Sequence, residues 1–79
     1  MEKIETIKKD SVTRYVIRSN KGNYLTENDG WTKCLKKAYR FTNLWGASYM
    51  VENDFKNCKV IKVRLRTWKA VEEIGEVKE

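Results

Sequence analysis

The chain has 79 residues, 41% of them hydrophobic and 11% aromatic, which suits a single domain, 1–79, with one modest core and argues against wholesale disorder. It carries 17 Lys and Arg against 11 Asp and Glu, two Cys and no His, which leaves neither a histidine for acid–base catalysis nor the ligands for a Cys/His zinc site. The charge is uneven: residues 1–69 stand at +9 and residues 70–79 at −3, so the body offers a field suited to nucleic acid, an acidic protein surface or an anionic ligand, or simply to solubility.

Residues 1–10 (MEKIETIKKD) place Ile4 and Ile7 among charges and read as an arm or edge strand. They contain no apolar signal-peptide core, and no later apolar run reaches membrane-spanning length, so the expectation is a cytoplasmic protein with no membrane partner. Residues 12–19 (VTRYVIRS) are rich in β-branched and aromatic side chains and predict a strand. The turn 20–23, with Gly22 free to take positive φ, returns the chain into a paired strand at 23–26. A second turn cluster at 27–30 precedes Trp31 and Thr32, which form a short third strand or a bridge. Residues 34–41 (CLKKAYRF) have mixed spacing and suggest a helical turn or an irregular link whose apolar side chains plug the core edge.

The segment 42–55 (TNLWGASYMVENDF) has the full signature of an amphipathic helix. Thr42 or Asn43 can cap it, and Leu44, Ala47, Val51 and Phe55 fall on one stripe. After a reversal at 56–58, residues 59–68 (KVIKVRLRTW) alternate: Ile61, Val63 and Leu65 share one face, Lys62, Arg64, Arg66 and Trp68 the other. Residues 70–79 form an acidic tail in which Val71, Ile74 and Val77 recur every third position, a pattern for a short docking helix that Gly75 weakens. The order of elements implies an α+β fold, a small antiparallel sheet of three to four strands with one main helix packed on one face. The opposite face is then exposed unless the tail or a second subunit, in a homodimer, covers it.

No catalytic constellation emerges: there is no nucleophile elbow, no phosphate-binding loop and no paired acid and base. The expectation is a non-enzymatic protein without cofactor or metal. Lys62, Arg64, Arg66 and Trp68 make a basic row with an aromatic end, able to track a phosphate backbone and stack a base, or else an ordinary solvated strand face. Trp45 and Tyr49, at i and i+4, lie off the core stripe and suggest a protein contact, or else seal the helix flank. Lys36, Lys37 and Arg40 can extend a basic patch. Cys34 and Cys58 lack a CxxC spacing and read as free thiols, with a mutual disulfide as the alternative.

The succession Tyr15-Val16-Ile17, Gly22-Asn23-Tyr24-Leu25, Trp31-Thr32, Ala38-Tyr39-Arg40-Phe41, Ala47 and residues 60–63 resembles a pattern in small accessory proteins of phages and prophages of Gram-positive bacteria. It spans about residues 12–65, and its positions are chiefly apolar, aromatic or turn residues, so it transfers no functional residue. The resemblance implies a factor that binds a host macromolecule, with a host protein as the foremost partner, in the manner of anti-defence inhibitors such as anti-CRISPR proteins. Direct binding of single-stranded nucleic acid and sequestration of a small anionic signal are the alternatives.

Overall fold

A computed structural model of the chain describes residues 11–67 and 69–77; the arm expected at 1–10 and the ring of Trp68 lie outside the described residues. The fold is α+β. Five strands, β1 (Ser11–Arg18), β2 (Tyr24–Leu25), β3 (Trp31–Thr32), β4 (Lys59–Arg66) and β5 (Lys69–Glu76), form an antiparallel sheet in the order β3-β2-β1-β4-β5. The three to four strands expected are therefore five. One α-helix, α1 (Leu44–Asn53), and one 3-10 turn (Leu35–Lys37) complete the elements.

The additional strand is the acidic C-terminal segment, which is neither a tail nor a helix. Its register explains why the sequence hides it. Lys62 pairs with Gly75 and Val63 with Glu73, then Arg64 with Glu72 and Leu65 with Ala70, so Ile74 and Val71 are each inserted as a bulge. Two bulges three residues apart turn the alternation of a strand into the threefold spacing of a helix. Both inserted side chains are exposed, and the bulges bend the edge strand, which blunts it as a template for further pairing.

The long pairing of the sheet is β1 with β4, running from Ser11↔Arg66 to Arg18↔Lys59, while the 20–23 turn joins β1 to β2 through a single pair, Arg18↔Tyr24. Gly22 takes the expected positive φ of 89°, and Asp29 and Thr67 are the non-glycine residues that turn through φ 63° and 52°. Phe41 completes the free edge of β1. Its N–H donates to the Tyr15 carbonyl at 2.7 Å and its carbonyl accepts from the Tyr15 N–H at 3.0 Å, which anchors the chain as it enters α1.

Both faces of the sheet are covered. Ile61, Val63 and Leu65 lie on one face with Val16, Tyr24, Ala38 and Ala70, and Val12 and Leu35 pack against that group. The sheet curls so that β5 meets the 3-10 turn, which closes this core without a second subunit. The helix packs on the other face. There Ala47 is buried against Ile17, Leu25 and Val60, and Leu44, Met50, Val51 and Phe55 are partly buried around them. The predicted stripe is thus the packing face of α1, but it meets Val60, not the Ile61–Val63–Leu65 row.

Candidate functional site

Asn43 adopts an extended conformation and its side-chain oxygen accepts from the Gly46 N–H at 2.8 Å, satisfying one of the unpaired donors at the start of α1. This cap fixes the helical phase. With Ala47 turned to the sheet, Trp45 and Tyr49 must project outward, and they are 77% and 55% exposed. The two rings stack on each other, with centroids 5.8 Å apart and planes 17° from parallel. Both rings are exposed among the described residues, and the arm at 1–10, against which they could seal the helix flank, lies outside those residues. Trp31 is also exposed, at 43%, but its ring meets Phe55 edge-on at 5.7 Å.

The basic row has a different setting. Lys62 and Arg64 are half-buried and Arg66 is exposed, all on the face that carries α1; Trp68 is outside the described residues. Arg64 Nη1 forms an ion pair with the Glu72 carboxylate of β5 at 3.2 Å. Glu73 accepts from Arg18 at 2.7 Å in a pair that crosses β4, and Glu76 stands 3.6 Å from Lys59. The segment expected as an acidic tail or short docking helix therefore sets carboxylates beside cations of β1 and β4. Such pairs contribute little stability individually, about 0–1 kcal/mol, but each sets a carboxylate beside a cation that a polyanion would otherwise meet.

Lys36, Lys37 and Arg40 border a polar cleft of about 260 Å³ together with Tyr39 and Glu27. Lys36 and Lys37 belong to the 3-10 turn and Arg40 to the link that leads to Phe41. An apolar groove of about 250 Å³ runs between α1 and the end of the sheet, floored by Val51, Val60 and Val77 with Cys58 at its side. Nothing in the sequence disclosed it, because it depends on where Val77 lands after two bulges.

Cys34 is exposed and Cys58 partly buried, and both thiols are free. Burial pushes the Cys58 thiol above its ordinary pKa, so it stays protonated and behaves as a small apolar group. Among the described residues no group of three or more Cys, Asp or Glu is placed to hold a metal ion, and no helix is long and apolar enough to cross a membrane. Compared with known proteins, the chain matches no protein-family model, no curated protein and no solved structure.

Proposed function

We propose that this chain is a non-enzymatic accessory protein of a phage or prophage that acts in the cytoplasm of its bacterial host, binding a host protein and altering its activity in the manner of an anti-defence inhibitor. The observation that carries the binding role is the stacked Trp45–Tyr49 pair, held in solvent by a capped helix whose opposite side packs on the sheet through Ala47. Large rings of this kind carry much of the energy of protein contacts once water is excluded. The phage assignment rests on the residue pattern of 12–65.

A protein partner suits the site better than nucleic acid. Residues 41–55 contain no Lys or Arg, and Glu52 lies beside the rings, where it repels phosphate. The strand row that could track a phosphate backbone is separately compromised, since Arg64 is already bound to Glu72.

The test is affinity capture from a Gram-positive lysate, with and without nuclease, using the wild type and a variant combining Trp45→Ala and Tyr49→Ala. A host protein retained after nuclease and lost with the variant supports the reading. The exposed rings should cost less than about 1 kcal/mol of stability when removed, so the variant should remain folded. Retention that disappears with nuclease, or that falls steeply as salt rises, would instead mark a phosphate-binding protein. Undiminished capture by the folded variant would show that the rings are not the contact.

A further inference from the structure

Trp45, Ser48, Tyr49 and Glu52 stand at i, i+3, i+4 and i+7 and share the outer side of α1, where they line a shallow cleft of about 140 Å³. Ser48 and Glu52 also line the neighbouring apolar groove over Val51, Val60 and Val77. Two ring faces, one carboxylate and an apolar slot are therefore contiguous. At about 250 Å³ the slot falls below the roughly 300–1,000 Å³ of a site for a drug-sized molecule, and is of a size for one or two side chains.

The electrostatics of this surface run against those of the chain. On a protein of net charge +6, the stretch 41–55 has no cation and two carboxylates, Glu52 and Asp54. Glu52 occupies the last turn of α1, where the helix dipole already presents its negative end, and no basic residue of that turn offsets it. The glutamates of β5 each face an arginine or lysine, and Lys59 on the groove's rim is held by Glu76. Glu52 has no ion-pair partner among the described residues. An unpaired carboxylate of unfavourable sign beside two exposed ring faces is complementary to a cation supplied from outside, because a guanidinium or ammonium is attracted to a ring face within about 6 Å of its centroid and to a carboxylate at the ring's edge.

We infer that this surface binds a segment of a partner protein in which an arginine or lysine lies against the Trp45–Tyr49 pair with its charge at Glu52, while a neighbouring aliphatic side chain enters the groove over Val60. The inference rests on the protein-binding reading above and supplies the chemistry of the partner. Arginine fits best, since its planar head can lie flat on a ring and still donate to the carboxylate.

The experiment is a nuclear magnetic resonance titration of the full chain with acetyl-leucyl-arginine amide. Acetyl-leucyl-glutamine amide and acetyl-leucyl-glutamate amide serve as the uncharged and oppositely charged probes. The arginine peptide should saturably shift the Trp45 indole and the Glu52 and Val60 amides. The glutamine peptide should bind more weakly, and the glutamate peptide should leave these signals unmoved. Glu52→Gln should weaken the arginine peptide about two- to fivefold and leave the glutamine peptide unchanged, and removing both rings should abolish the saturable shift. Equal affinity for arginine and glutamine peptides, a preference for glutamate, or no saturable shift at these three residues would overturn the inference. Its failure is separable from that of the parent reading: capture of a host protein that survives Glu52→Lys but not loss of the rings would keep the protein contact and refute the cationic segment.

Discussion

Replacing Val63 with Ala tests the curled sheet directly. Val63 is 0% exposed and lies in the core with Val16, Ile61 and Leu65, on the face turned away from α1. The substitution deletes two methyl groups, about 1.6 kcal/mol at ~0.8 kcal/mol each. A residual cavity of roughly 40 Å³, at ~24 cal/mol per Å³, adds about 1 kcal/mol. The sum, about 2.5 kcal/mol, is half or more of the roughly 3–5 kcal/mol that a core of this size supplies. In urea followed by far-ultraviolet circular dichroism, the midpoint should fall to about half its wild-type value with an unchanged slope. Arg66→Ala, exposed on the same strand, should cost no more than about 0.5 kcal/mol. A loss below about 0.5 kcal/mol for Val63→Ala would mean that this face of β4 is not enclosed. A larger loss at Arg66 than at Val63 would mean that the strand is out of register by one residue.

Two further outcomes follow from charge and burial. Because burial raises the Cys58 pKa, the folded chain keeps a proton that the unfolded chain loses; the associated stability is intact below the unfolded value of about 8.5 and is lost as pH rises through the folded pKa. The melting temperature of the wild type should therefore drop more between pH 8 and 10, roughly the range that brackets an ordinary thiol pKa, than that of Cys58→Ala, and parallel declines would refute this. Glu73→Gln breaks the pair with Arg18, which is about one-third exposed, and should cost at most about 1 kcal/mol at low salt and almost nothing at 1 M salt; a salt-independent loss of about 3 kcal/mol would mean that the pair is buried.

The elements that local rules govern are those the sequence discloses. The stripe of α1, the position of Trp45 and Tyr49 off that stripe, and the two faces of β4 follow from periods of 3.6 and 2 residues, and capping chemistry narrows the helix start to Thr42 or Asn43, of which Asn43 is the cap. What depends on register is hidden. The bulges at Val71 and Ile74 disguise β5, and with β5 go the pairing of Arg64 to Glu72 and the arrival of Val77 at the helix groove. The short β1–β2 contact has the same origin: a turn at 20–23 announces a hairpin but does not fix its length, and on that edge of β1 Tyr15 bridges to Phe41 instead.

Folding β5 onto β4 also redistributes the field of the molecule. A detached acidic tail would leave a basic strand face beside a separate anionic segment, and an approaching polyanion could displace the one to reach the other. As a strand, the same glutamates have their backbone fixed by pairing, so their carboxylates stay within reach of Arg18, Lys59 and Arg64. The cations at 33–40 then form the more basic part of the described surface, where Lys33, Lys36 and Lys37 are exposed, while the outer side of α1 carries rings and a carboxylate. A uniformly anionic polymer complements the first region and is repelled by the second. A folded protein that offers an acidic area to one and an aliphatic–cationic segment to the other complements both, which is the electrostatic reason to expect a protein at the Trp45–Tyr49 face.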